Sequence, residues 1–148
     1  MNYRSLLTAA GMLSLAVAAF HVALAFSADL SEFFGSGPAI ARMLREHDPV
    51  IYVITFSLVI VFALCGLYGL SGAGRFARLP LLRTGLLTIG AIYLLRGLMF
   101  FPELLCITGI IRKDIPLQNL LSSAVSLSTG LCFLLGAIGL MRRRVVVS

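Results

Sequence analysis

The chain has little of what reactive centres are built from. Its 148 residues include two histidines, three cysteines and six acids. Two histidines, with His47 in a polar connection, do not make a bis-histidine haem, and no cluster has metal-ligand spacing. No C-x-x-C pair links Cys65, Cys106 and Cys132, which argues against a redox relay or a disulfide framework. No glycine-rich nucleotide loop is present. No serine, threonine or cysteine nucleophile has an evident base beside it. We therefore expect no catalytic residue, no metal and no cofactor; a lipid-modifying enzyme is the weakest of the functional alternatives. Charge is scarce as well. Charged residues are 12% and hydrophobic ones 59% of the chain, against about 25% and about 45 to 50% in soluble domains. With a mean hydropathy of +1.02, the chain belongs in lipid.

What is abundant is apolar sequence in long runs. Four stretches have few or no charges and roughly the 20 residues that a ~30 Å hydrocarbon core requires: Leu6 to Phe26, Val50 to Ser71, Leu79 to Phe101 and Leu117 to Met141. The expected fold is an all-α membrane protein, a four-transmembrane-helix bundle with short loops, forming one domain over residues 1–148. The polar segments are too brief for a separate soluble unit.

One side of the layout has no acid. Arg4, Arg75, Arg78, Arg83 and Arg142 to Arg144 fall there, while Asp29, Glu32, Glu46, Asp48, Glu103 and Asp114 all fall in the other two connections, beside Arg42, Arg45, Arg112 and Lys113. By the positive-inside rule both termini and the middle loop are cytoplasmic, in the manner of a multi-pass protein of a bacterial inner membrane. The pI near 9.9 then reflects topology and anionic inner-leaflet lipid. Nucleic acid is not an expected partner, since the positive charge does not occupy a folded polar face.

The first run imitates a secretory signal, with Arg4 before it and Ala23-Leu24-Ala25 near its end. Its apolar stretch exceeds the usual 7 to 15 residues and contains His21, so it is read as the first membrane helix. Asp48-Pro49 supplies a capping carboxylate and a proline at the first helical position of the second helix; Asp114 and Pro116 do the same for the fourth. Ser71 to Gly74 ends the second helix. Pro102 predicts a kink or stop just beyond Arg96.

The first acidic connection has room for more structure. Ile40, Met43 and Leu44 share one helical face while Arg42, Arg45 and Glu46 lie elsewhere, predicting a short amphipathic helix over Pro38–His47 in the outer interface, with Phe33 and Phe34 dipping into lipid. Small-residue stripes, which let membrane helices approach closely, are expected at Ala10, Ser14 and Ala18 and at Ser122, Ser126 and Gly130. Gly66 and Gly69 crowd the arginine-rich end of the second helix, as Gly136 and Gly139 do on the fourth. A shift of 70 positions superimposes these two pairs and a shift of 75 places His21 on Arg96, the pattern of a faint duplication into two helical hairpins. The size and helix count are similar to those of small multidrug exporters, but the first helix lacks the membrane-embedded glutamate that family would require.

Arg96 is the exception within the third run. An unpaired guanidinium at mid-membrane costs about 2.5 to 3.5 kcal/mol and marks a functional site by default. At 1.5 Å per residue, Arg96 and His21 lie at one level, in the outer third. Glu103 follows Arg96 by about two turns. Tyr52 and Thr55 enter at that level from the second helix, and Asn119, Ser122, Ser123 and Ser126 from the fourth. The candidate ligand-binding set is therefore Arg96, His21, Glu103, Tyr52, Asn119, Ser122 and Ser126. A guanidinium fork suits carboxylate or phosphate. The expected function is to bind or transport a lipid-like, quinone-like or small anionic molecule, as a homo-oligomer in contact with membrane lipids. Two alternatives compete: a structural subunit of a larger membrane complex, and an Arg96–Glu103 pair that only fixes the third helix.

Overall fold

In lipid every backbone N–H and C=O must be satisfied within the chain, so an apolar sequence of this kind resolves into helices. A computed structural model describes residues 2–108 and 116–145. Along the chain run α1 (Tyr3–Phe26), α2 (Ala28–Ser31), a π-helical turn (Glu32–Ser36), α3 (Gly37–Arg45), α4 (Pro49–Gly72), α5 (Leu82–Gly97), α6 (Phe100–Ile107) and α7 (Leu117–Val145). The described residues contain no strand. Four segments, Tyr3–Phe26, Pro49–Gly72, Leu82–Ile107 and Leu117–Arg142, are long and apolar enough to cross a membrane. Large apolar side chains such as Val53, Ile60, Leu95 and Leu135 are exposed on their outer faces, as a multi-pass membrane protein requires.

Local chemistry places the helix ends. Asn2 caps α1 by accepting the Arg4 N–H, and Asp48 caps α4 by accepting the Val50 N–H at 2.9 Å, with Pro49 in the first helical position. Asp114, the expected cap of α7, lies outside the described residues, as do Arg112 and Lys113. The third apolar run is divided where Pro102 lacks an N–H. The Leu98 carbonyl accepts from Phe101 at 3.3 Å instead, and α5 stops at Gly97 before α6 begins. That run also starts later than Leu79, because residues 73–81 are held as a loop: Ser71 Oγ donates to the Ala77 carbonyl at 2.8 Å and accepts from the Leu79 N–H, while Tyr68 Oη donates to the Pro80 carbonyl at 3.1 Å.

The long helices form two hairpins, α1 with α4 and α5 with α7, joined chiefly through α1 against α7. Backbone sets the spacing within each. A Cβ on Gly69 would lie 2.7 Å from Gly11 Cα and 2.9 Å from the Leu7 carbonyl oxygen; one on Gly130 would lie 2.6 Å from the Leu94 nitrogen. Gly97 faces the Leu127 backbone in the same way. The expected stripe of Ala10, Ser14 and Ala18 is buried. Its counterpart on α7 is rotated from expectation: Ser122 is exposed and Ser126 half-buried, while Ser123, Gly130 and Ala137 are buried at seven-residue steps. The two hairpins are those the suggested duplication implies, but its aligned glycine pairs differ in their contacts. Gly66 and Gly69 pack on α1, their own hairpin partner, but Gly136 and Gly139 would meet Leu7 and Tyr3, also on α1 rather than on α5.

Each long helix contributes one ring to a layer through the interior. His21 lies against Phe62 at 4.9 Å between centroids, Phe62 against Tyr93 at 6.2 Å, and Tyr93 stacks on Phe133 at 5.9 Å. The buried Tyr93 hydroxyl donates to Ser14 Oγ at 3.1 Å, so a hydrogen bond links the two hairpins.

A cap made of α2, the π-helical turn and α3 sits between α1 and α4. Ala41 and Leu44 are buried under α3. Arg45 donates to Asp29 at 2.8 Å and to Glu32 at 3.0 Å. Those hydrogen bonds, first from Asp29, raise the Arg45 pKa. A raised cationic pKa stabilises below the ordinary value and fades only in strong alkali, so neutral pH does not titrate this end of the bridge. The two phenylalanines expected in lipid are both exposed, Phe34 less so because it packs edge-on to Phe20 at 4.8 Å.

Because the atoms facing Gly69 are backbone, they cannot yield as a flexible side chain would. Gly69→Ala should lower stability by roughly 1 to 3 kcal/mol, read as a fall in detergent melting temperature, while Leu95→Ala on the exposed face changes it little. Arg45→Ala should leave the melting temperature nearly unchanged but accelerate amide exchange across Ala28–Arg45.

Candidate functional site

The missing side chain at Gly97 brings α5 onto the Leu127 backbone of α7, and this contact puts the preceding residue, Arg96, within reach of the α7 serines. Arg96 Nη1 donates to Ser123 Oγ at 2.6 Å and Nη2 donates to Ser122 Oγ at 3.0 Å. Ser123 is fully buried. Ser122 accepts from Arg96 and donates its own O–H to the Asn119 carbonyl at 2.9 Å, which orients its lone pairs toward the guanidinium.

Glu103 completes the cluster from α6. Its Oε1 lies 4.0 Å from Arg96 Nη1, the outer edge of an ion pair and beyond hydrogen-bond reach. Its Oε2 is buried and has no partner among the described residues. The Glu103 side chain is 14% exposed and the Arg96 side chain 48%. Serines, not the carboxylate, therefore hold Arg96, and the simple Arg96–Glu103 pair expected as a rival explanation is loose.

The other expected site residues divide. Asn119 supports Ser122 through its backbone carbonyl, and its side chain has no hydrogen bond among the described residues. Ser126 donates to the Ser122 carbonyl within its own helix. His21 is turned away: Nδ1 donates to the Val17 carbonyl at 2.8 Å and the ring packs on Phe62, with no polar contact to Arg96. Tyr52 is half-buried and makes no hydrogen bond among the described residues. Arg96, Ser122, Ser123 and Glu103 thus come together, with Asn119 behind them, while His21 and Tyr52 stand apart. Sequence reasoning placed Ser123 at this level without singling it out. The seven-residue step from Ser123 through Gly130 to Ala137 is the signal that marks it as buried. Tyr93 was missed altogether.

No group of His, Cys, Asp or Glu among the described residues could hold a metal ion. No family model matches the chain, and neither does any curated protein or solved structure. A guanidinium carries five donors, of which two are spent on serines, and the other three make no hydrogen bond among the described residues. Ser123→Ala removes a hydrogen bond to a charged group and should cost roughly 1.5 to 3 kcal/mol, a larger fall in detergent melting temperature than Ser122→Ala produces.

Proposed function

We propose that the chain is a multi-pass membrane protein, with both termini and the middle loop cytoplasmic and the α2–α3 cap at the outer interface, that binds an amphipathic molecule with a polar, acidic head. The head would enter between α5, α6 and α7 in the outer leaflet. One observation carries this reading: Arg96 is fixed by two neutral hydroxyls, half-exposed, and has donors left over beside the orphan oxygen of Glu103. An acidic head would take the free donors, and a hydroxyl or ammonium on the same head would satisfy Glu103. Exposed Met99, Leu121 and Val125, neighbours in the chain, offer apolar surface for a tail. A homo-oligomer, and either carriage or retention of the molecule, fit equally.

The alternative of a docking subunit gains little. Of the two stripes that would have served it, Ala10, Ser14 and Ala18 are buried within the chain itself, and on α7 Gly130 is buried, Ser126 half-buried and Ser122 exposed.

Native mass spectrometry of the protein released from its own membrane tests the proposal. The wild type should retain an amphiphile that Arg96→Gln loses by about tenfold or more, as removal of a charge-assisted contact implies, with a smaller loss for Glu103→Gln. Equal retention by all three, or no retained molecule in the wild type, would overturn it.

A further inference from the structure

At the opposite end from Arg96 the molecule presents a second concentration of guanidinium groups. A cleft of about 670 Å³ opens between the start of α1, the 73–81 loop and the start of α5, and Arg4, Arg78, Arg83 and Thr84 are among its lining. Packing puts them there. Gly139 leaves room for Tyr3 against α7, and Tyr3 Oη accepts from Arg4 Nε at 3.2 Å, directing Arg4 to the rim. The Ser71 and Tyr68 hydrogen bonds that fold the 73–81 loop fix the backbone that carries Arg78. Helix α5 starts at Leu82 with no side-chain cap, so the positive end of its dipole opens on the same cleft.

No negative group among the described residues answers this charge. Arg78 and Arg83 make no hydrogen bond or ion pair among the described residues, and neither does the Thr84 hydroxyl. The described acids lie at the other end: Asp29, Glu32, Glu46 and Asp48 between α1 and α4, and Glu103 on α6. The positive-inside rule asks only for arginines near the helix ends. It does not ask that they converge on one cleft around an uncapped helix start, where like charges repel unless an anion lies between them.

We propose that this cleft binds a phosphate group, with Arg78 and Arg83 as its principal ligands and Arg4 at the rim. Guanidinium forks match phosphate oxygens in pairs, and the Thr84 hydroxyl supplies a further donor. The phosphate can be the head of an anionic lipid of the inner leaflet or a soluble phosphate ester; either brings the same chemistry. The site is independent of the Arg96 cluster.

The test uses the full chain in nanodiscs, with melting temperature as readout. In one arm, phosphatidylglycerol replaces part of a phosphatidylcholine bilayer; in the other, inorganic phosphate and glycerol phosphate are titrated onto phosphatidylcholine nanodiscs. The double variant Arg78→Gln with Arg83→Gln is compared with Arg75→Gln with Arg142→Gln, which removes the same charge from the same end without touching the cleft lining. The expected result is stabilisation of the wild type that the cleft pair loses almost entirely and the control pair keeps. Stabilisation in the lipid arm alone assigns a lipid head group, and stabilisation in the soluble arm assigns a phosphate ester. Equal loss in the two double variants would reduce the effect to diffuse surface charge and overturn the site, as would no stabilisation in either arm. Should the cleft pair not fold, Arg78→Gln and Arg83→Gln singly carry the same comparison against Arg142→Gln alone.

Discussion

Between helices in lipid there is no hydrophobic driving force, because the surrounding tails are as apolar as leucine; association depends on close fit. In this chain the fit is made by glycine against backbone, at Gly11 and Gly69 in one hairpin and at Gly97 and Gly130 in the other. A single methyl group at Gly130 would sit 2.6 Å from the Leu94 nitrogen, which α5 could relieve only by moving off α7. The polar site is hostage to that distance. Arg96 reaches Ser123 across the same helix pair, so the contact that sets the packing also sets the donor geometry.

The two hairpins meet through polar and aromatic groups. A layer of rings takes one member from each helix, His21, Phe62, Tyr93 and Phe133, and the Tyr93 to Ser14 hydrogen bond ties α5 to α1 at its centre. Apolar ridges alone would leave the rotation of each helix weakly specified. A hydroxyl that must find its partner in a region without water does not. This accounts for His21 better than a ligand would: with Nδ1 bonded to Val17 and its ring on Phe62, it serves as a flat packing element whose polar edge is satisfied by its own helix.

The features legible in advance were those with a local cause. Asp48-Pro49 starts α4, Pro102 breaks the third run, and Leu44 lies under the cap helix, each because a neighbouring residue dictates it. Arg96 could be placed beside Ser122 and Glu103 from helical rise and periodicity alone. The features that escaped have causes far away in the chain. Whether α7 turns Ser122 or Ser123 inward depends on Gly97 meeting Leu127, and the Tyr93 to Ser14 bond joins residues with no shared pattern. The cleft at the arginine-rich end needs the fold of the 73–81 loop, whose hydrogen bonds run from Tyr68 and Ser71 to backbone carbonyls and leave no trace in composition.

The arginines show why a charge count says little about binding. Arg45 is answered by two carboxylates, both on its Nη2, so its charge is neutralised and its work is mechanical, holding the cap. Arg78 and Arg83 are answered by nothing among the described residues. Arg96 lies between these extremes. Two hydroxyls fix its position without cancelling its charge, and a carboxylate at 4.0 Å offsets part of the desolvation cost without closing on it. A carboxylate at hydrogen-bond distance would have anchored and neutralised the guanidinium together. Neutral anchors separate the two effects, and a group held rigid while still charged is pre-organised for an anion, since little further ordering is needed when one arrives.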